Sequence, residues 1–117
     1  MATLLVHLAT GPENPTRAAL AMLVARTAAS EGHEVSVFLA GDAVQLLRPE
    51  TAAATHGIGT GAFDEHLTAL REAGVPVYAS GMSSKARGVD VEASGAEPAQ
   101  PQKLVELATT AETTLTY

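Results

Sequence analysis

The sequence predicts a three-layer α/β/α sandwich built on a mostly parallel sheet of about five strands. Short runs rich in Val, Leu and Thr alternate along the chain with segments whose apolar residues recur at helical spacing. The first run, Thr3 to Ala9, is mostly apolar, as is typical of a strand covered on both faces. The 117 residues contain no internal repeat and no linker, so we expect one domain over 1–117.

The first strand and helix carry clear boundary signals. Thr3 to Ala9 is closed by a Thr-Gly-Pro turn. Asn14 is a typical N-cap and Pro15 suits the first helical position. Apolar residues then recur at helical spacing, which predicts a helix that ends near Gly32.

The second strand and the segment after it are less uniform. Glu34 to Leu39 is rich in β-formers and predicts a strand. Asp42 is expected to cap a short helix through Arg48, which Pro49 prevents from continuing. Thr51 to Gly61 is rich in Ala, Thr and Gly without a clear period, and predicts a short helical piece followed by a mobile loop.

The second half of the chain repeats the alternation of helix and strand. Its predicted elements are a helix from Phe63 to Gly74, a strand at Val75–Ala79, a short helix ending near Gly88, a weak strand near Ala96, a helix over Leu104–Ala111 and a strand at Thr113–Tyr117. The strand near Ala96 is weak because Pro98 and Pro101 interrupt the segment.

Charge and hydropathy exclude several classes of partner. The formal net charge is −6 and no basic patch is visible, so we expect neither nucleic acid nor an anionic membrane as a partner. The longest apolar run, Ala18 to Ala25, is far too short to cross a bilayer of about 30 Å. Because no secretory signal is visible at the N-terminus, we expect a cytoplasmic location.

The chain has no cysteine, which excludes disulfides, thiolate nucleophiles, persulfides and Cys-based metal sites. Its four histidines, His7, His33, His56 and His66, lack the spacing of metal ligands. We therefore expect no metal and no cofactor. His7 lies within a strand and needs a buried partner, His33 is expected to be solvated, and His56 and His66 are candidates to approach a pocket.

Ligands of parallel sheets bind beyond the carboxyl ends of the strands. The candidate ligand-binding residues at that edge are Thr10, Gly11, Asn14, Gly41, Asp42, Ser80, Gly81, Met82 and Ser83. The loop from Thr10 to Thr16 precedes a helix whose free N–H groups suit an anion. Capping and turn geometry explain the same loop, and Glu13 opposes a negative ligand.

Two other features have competing interpretations. Gly57, Gly59 and Gly61 are similar to a phosphate-binding loop, but without a preceding strand and a Lys-Ser/Thr ending they favour a flexible loop. Lys85 and Arg87 suit pairing with an anion at the strand ends, and equally suit solvated charges or an ion pair with a neighbouring subunit.

Four segments together carry a resemblance to a known family. They are LATGPENPTRA, GHEVSVFLAGDAV, VPVYASGMSSKARGV and KLVELATTAETTLTY. In order and spacing the chain resembles the DsrE/DsrF-like sulfur-relay family over nearly its whole length. The resemblance implies the same three-layer fold and assembly into a homotrimer or homohexamer.

The resemblance also identifies a departure at Ser80. Sulfur-transferring members of the family carry a cysteine at the end of the third strand, several residues before an Arg-Gly pair, which here is Arg87-Gly88. Counting back places Ser80 at the cysteine position. A serine hydroxyl does not ionise usefully at a helix N-terminus and forms no persulfide. We therefore expect a non-catalytic, oligomeric member of the family with a vestigial or repurposed strand-end pocket.

Other functions stay open at this stage. The chain is alternatively a module that binds a small anion or a nucleotide-like ligand at the strand ends. A hydrolase-type enzyme would use Ser80 as its nucleophile and needs a histidine within hydrogen-bond distance. A small polar residue that fits a tight strand-to-helix turn is the simpler explanation of Ser80, and Ser83 suits a helix cap. In a heteromeric assembly another protein would supply the cysteine.

Overall fold

The computed structural model describes residues 1–117, and a five-stranded parallel sheet runs through it. The strands of this sheet are β1 (Thr3–Leu8), β2 (Glu34–Leu39), β5 (Val77–Ser80), β6 (Glu97–Ala99) and β7 (Thr113–Thr116). Two further strands, β3 (His56–Gly57) and β4 (Gly61–Ala62), pair with each other as a separate antiparallel hairpin.

Helices connect these strands. They are α1 (Pro15–Ser30), α2 (Pro49–Ala54), α3 (Phe63–Glu72), α4 (Gly81–Arg87) and α5 (Pro101–Thr110), with 3-10 helices at Gly41–Leu47 and Glu92–Ser94. The predicted start of α1 is confirmed, since Asn14 Oδ1 accepts a hydrogen bond of 3.1 Å from the backbone N–H of Arg17. None of the helices has both the length and the apolar character that crossing a membrane requires.

The strand order is β6-β5-β2-β1-β7. The chain steps in one direction from β1 through β2 and β5 to β6, and then returns to place β7 on the other side of β1. Because parallel crossovers are right-handed, the return step puts α5 on the face of the sheet opposite to α1 and α3. The predicted sandwich with a five-stranded sheet is therefore confirmed.

The main core lies between the sheet and the layer of α1 and α3. Side chains that are at most 2% exposed come from three sources, namely Val6, Leu8, Val37 and Leu39 on the strands, Ala18, Ala21, Met22 and Ala25 on α1, and Phe63, Leu67 and Leu70 on α3. The alanines let α1 approach the sheet closely, so a chain with few aromatic residues still builds a dense core.

The opposite face of the sheet is covered more thinly. Leu5 and Phe38 are buried there, but α5 contributes no buried residue. Its Lys103 ammonium lies 5.1 Å from the centroid of the Tyr78 ring, a cation–π distance. Most of the apolar burial that stabilises the fold therefore comes from the α1 and α3 side.

The segment predicted as a mobile loop is a hairpin. The backbone N–H of Ile58 donates to Thr16 Oγ1 at 3.0 Å, and Thr60 Oγ1 donates to the Thr16 carbonyl at 3.1 Å. The prediction was wrong because these partners come from α1, more than forty residues away in sequence. Pro49, expected only to stop a helix, occupies the first position of α2.

The predicted cap at Asp42 was also wrong. The 3-10 helix begins at Gly41, so Asp42 lies inside its first turn, and the N-cap is Ala40 without a side-chain hydrogen bond. The Asp42 side chain instead faces Arg87, 45 residues further along the chain. A partner so distant in sequence leaves no local signal.

His7 lacks the buried polar partner that the sequence led us to expect. Its Nε2 atom is buried without a hydrogen bond, and its ring meets Phe38 edge to face at 6.2 Å between centroids. Burial removes water from the charged form and lowers the pKa of His7 below 6.5. Burial therefore favours the neutral form of the ring in the folded protein.

Acidification is expected to destabilise the protein through His7. Above the unfolded-state pKa of 6.5 the ring is neutral in both states, so the full stability is present. As the pH falls below 6.5 toward the lowered pKa, the unfolded chain takes up the proton first and stability is lost. Urea unfolding at about pH 7.5 and about pH 5 should show a smaller loss for His7→Leu than for the wild type. An identical loss in both proteins would contradict this account of His7.

Candidate functional site

All five strands of the main sheet are parallel, so their carboxyl ends meet at one edge. The segments that follow β1, β2 and β5 leave the sheet there. Together with Ser80, the last residue of β5, they contain all nine sequence-predicted ligand residues. This carboxyl edge is the candidate site. Its geometry is set by α4, which begins directly after β5.

Ser80 ends β5 and caps α4. Its Oγ accepts a hydrogen bond of 3.1 Å from the backbone N–H of Ser83, which satisfies one of the free donors in the first turn. The sequence favoured Ser83 as the helix cap, whereas in the structure the N-cap is Ser80, three residues earlier. Gly88 ends the helix in the left-handed conformation at φ +66°.

Ser83 ties the loop after β5 to the loop after β2. Its Oγ accepts a hydrogen bond of 2.9 Å from the backbone N–H of Gly41. Gly41 has φ +57°, a conformation that favours glycine. Two of the predicted ligand-binding groups are therefore bonded to each other.

An ion pair closes the same junction. Arg87 Nη2 lies 3.0 Å from Asp42 Oδ1, and Arg87 Nη1 donates to the carbonyl of Ser83 at 3.1 Å. Arg87 therefore forms an ion pair within the chain, with Asp42 as its partner. Lys85 is exposed and makes no such pair.

The loop after β1 packs tightly against the loop after β2. A Cβ on Gly11 would overlap the backbone oxygen of Asp42, so only glycine fits there. The N–H of Gly11 donates to Glu13 Oε1 at 2.9 Å, and Asn14 is engaged in its cap. Thr10 is half-buried and its side chain makes no hydrogen bond. Two of the backbone donors that would suit an anion, those of Gly11 and Arg17, are therefore already bonded within the loop, and one of their acceptors is a carboxylate.

An open groove lies on the β6 side of Ser80. It has a volume of about 530 Å³ and is lined by Met82, Gln100, Pro101, Gln102 and Val105. Met82 is 65% exposed and Val105 is 61% exposed. Of the nine predicted residues only Met82 lines it. The other four were missed because they reach this edge only through the pairing of Ser80 with Ala99, and strand order is not readable from a single sequence.

The histidines make their contacts elsewhere. His33 Nδ1 accepts from the N–H of Ala2 at 3.0 Å, His56 Nε2 meets the carbonyl of Ala53 at 3.1 Å, and His66 Nε2 meets that of Thr60 at 2.8 Å. None of the four histidine rings hydrogen-bonds to Ser80. The chain contains no group of three or more His, Cys, Asp or Glu side chains placed to hold a metal ion.

Comparisons with known proteins agree with this architecture. The sequence profile described as the DsrE/DsrF-like family matches residues 3–117. The fold is similar to the crystal structure of the ychN protein from E. coli, with a TM-score of 0.75, 20% identity and 100% of both chains covered. It is also similar to a conserved protein of unknown function, BT1422 from Bacteroides thetaiotaomicron, with a TM-score of 0.74, 15% identity and 99% and 95% of the two chains covered. No curated protein matches the sequence.

Removing the Ser80 cap should cost stability without changing the fold. Ser80→Ala leaves the N–H of Ser83 without its acceptor and is expected to lower the free energy of unfolding by about 1 kcal/mol. Ser80→Asn retains a capping oxygen and should lose much less. Chemical denaturation of the three proteins measures the difference, and equal losses for Ala and Asn would show that the cap is not the cause.

Proposed function

The chain belongs to the DsrE/DsrF-like family, and because it has no cysteine we propose that it acts without carrying sulfur covalently. In this proposal the protein retains the architecture of a sulfur-relay domain and works by binding at the carboxyl edge. The observation that carries the proposal is the side chain at residue 80. A hydroxyl stands at the end of β5 and is bonded to α4.

The chemistry of oxygen supports this proposal. A thiol at a helix N-terminus has a lowered pKa, because the amide dipoles there favour the thiolate, and the thiolate attacks the outer sulfur of a persulfide donor. A hydroxyl in the same place stays protonated. Ser80 Oγ also accepts the Ser83 N–H, so one of its two lone pairs already stabilises the helix.

The remaining parts of the proposal concern assembly and location. We propose that the chain forms a homo-oligomer, a trimer or hexamer, and that it resides in the cytoplasm. Support for assembly comes from the family resemblance and from the large apolar side chains that the single chain leaves exposed. Ile58, Met82 and Val105 are 90%, 65% and 61% exposed. The strand-end groove is then either a vestige or the site of a new ligand.

A second candidate function is the binding of an uncharged, partly apolar small molecule. The groove beside Ser80 is lined by Met82, Pro101 and Val105 together with two glutamine amides, and by no charged side chain. The volume of this groove, about 530 Å³, is within the usual range for small-ligand sites. The anion or nucleotide-like ligand of the earlier alternative has less support, because Asp42 and Glu13 bring carboxylates to the neighbouring loops.

The hydrolase alternative has the least support. A serine nucleophile needs a general base within hydrogen-bond distance, and every hydrogen bond that a histidine makes within the chain goes to a group other than Ser80. Ser80 is therefore placed as a cap.

Sulfur loading tests the principal proposal. After incubation with a low-molecular-weight persulfide, intact mass spectrometry should find no covalently added sulfur on the wild type. Ser80→Cys should gain one sulfur atom, as its thiolate takes the outer sulfur of the donor and releases the donor thiolate.

Ser30→Cys is the matched control, since Ser30 is exposed at the carboxyl end of α1, where the helix dipole disfavours a thiolate. It should load more slowly than Ser80→Cys at neutral pH. Sulfur on the wild-type chain would overturn the proposal. Equal loading of the two variants would show that the carboxyl edge no longer favours sulfur chemistry.

Thermal unfolding tests the second candidate. In a panel of small metabolites, an uncharged, partly apolar compound should raise the melting temperature of the wild type, because it binds only the folded state. Val105→Asp, which places a charge in the groove, should abolish the increase. An increase confined to anionic compounds, or one unchanged in Val105→Asp, would contradict binding in this groove.

A further inference from the structure

The β3–β4 hairpin presents an isoleucine at its tip. Ile58 is 90% exposed, whereas the hairpin that carries it is bonded to α1 through Thr16 and to α3 through His66. Covering this side chain would be favourable, because apolar surface that is removed from water stabilises the covered state. The tip is a preformed apolar projection, which we call the knob.

The hairpin is fixed by contacts that leave little freedom. Thr60 bonds to the carbonyl of Thr16, and a Cβ on Gly57 would overlap Thr60 Oγ1 and crowd Ala19. The carbonyl of Thr60 accepts the Nε2–H of His66 at 2.8 Å, so His66 Nδ1 is left to accept from Arg26 Nη1 at 3.4 Å. The chain thus holds the knob at a defined position.

A groove runs along the outer surface of α3, beside the base of the same hairpin. It has a volume of about 530 Å³, and its apolar part consists of Ala53, Ala62 and Ala69. These small side chains leave room for an aliphatic side chain to insert. We call it the α3 groove, and it lies apart from the strand-end groove at Met82.

The charges around the knob and the α3 groove are complementary. Three carboxylates, Asp64, Glu65 and Glu72, line the groove against one guanidinium, that of Arg26. Arg17 follows Thr16, the residue to which the knob is bonded, and its side chain is exposed and makes no hydrogen bond or ion pair within the chain. One surface near the hairpin therefore offers a free cation, and the other offers free anions.

We propose that the occupant of the α3 groove is the Ile58 knob of a second copy of this chain. The hairpin that carries the knob also supplies His56 and Ala62 to the groove, so the two lie side by side. A two-fold axis between copies lets each knob enter the other copy's groove, which is a self-complementary contact. Arg17 of each copy then approaches the carboxylates of the other. This inference rests on the proposed homo-oligomer in its hexameric form and assigns it a contact surface, since a hexamer built from two trimers contains two-fold axes and a lone trimer does not.

Because the chain has no cysteine, disulfide cross-linking tests the contact directly. Ile58→Cys and Thr68→Cys are purified separately, mixed and oxidised. Thr68 is an exposed residue of the α3 groove. The mixture should give a covalent dimer that contains one chain of each variant. In the control, Ile58→Cys is mixed with Thr109→Cys, whose position is exposed on α5 across the sheet. This mixture should not give such a dimer.

Association without cross-linking gives the second measurement. Ile58→Ser removes an exposed side chain, so the variant should fold as the wild type does, while its self-association weakens by about tenfold or more. Arg17→Glu should weaken association at low salt, with a smaller effect at high salt, where charge interactions are screened. Light scattering over a concentration series measures both.

The outcomes separate this inference from the proposed function. A wild-type mass of one chain, 12.0 kDa, would overturn both the homo-oligomer and the knob contact. A wild-type oligomer whose mass is unchanged by Ile58→Ser, and which gives no Ile58–Thr68 cross-link, would overturn the knob contact alone. If a different protein covers the knob, the cross-link likewise fails and the inference is wrong.

Discussion

The hydrogen bond from the backbone N–H of Ser83 to Ser80 Oγ stabilises the first turn of α4, the helix on which the contacts at the carboxyl edge of the sheet depend. It fixes the start of α4, which places Ser83 Oγ where the N–H of Gly41 reaches it. The same helix carries Arg87 to Asp42 and to the carbonyl of Ser83. The cap at the end of β5 therefore supports a helix whose other side chains join two loops of the edge.

That constraint also bears on what the edge does chemically. A cysteine in the position of Ser80 would be a poorer cap, since sulfur is a weak hydrogen-bond acceptor, but a much better nucleophile. Oxygen reverses both properties. In this chain the side chain at residue 80 thus contributes to helix stability. Three backbone donors of the strand-end loops, those of Gly11, Ser83 and Gly41, are bonded to Glu13, Ser80 and Ser83 respectively. The open space at the edge lies beside them, in the groove at Met82.

The sequence predicts those parts of the fold that depend on neighbouring residues. The span of β2, the Asn14 cap of α1 and the Pro15 start follow from local pattern, and even the weak strand near Ala96 is present as β6. Parts that depend on distant partners were missed. The hairpin needs Thr16, Asp42 needs Arg87, and the groove at Met82 needs β6 to lie beside β5. The nine candidate residues lie at the carboxyl edge, but the sequence predicts this only as a region, because the contacts there join elements far apart in sequence.

The two sides of the helical layer differ in how completely one chain buries its apolar residues. Toward the sheet, α1 and α3 bury their side chains almost fully, with Met22 and Phe63 at 0% exposure. Away from the sheet, the same layer carries Leu20 at 36% exposure and the hairpin carries Ile58 at 90%. Water is a poor environment for such side chains, and the glycines, threonines and buried histidine that support the hairpin would be unnecessary for a loop that only connects α2 to α3. The many contacts that fix the hairpin are explained if Ile58 at its tip binds to another surface. The small alanines of the α3 groove leave a space that fits this side chain.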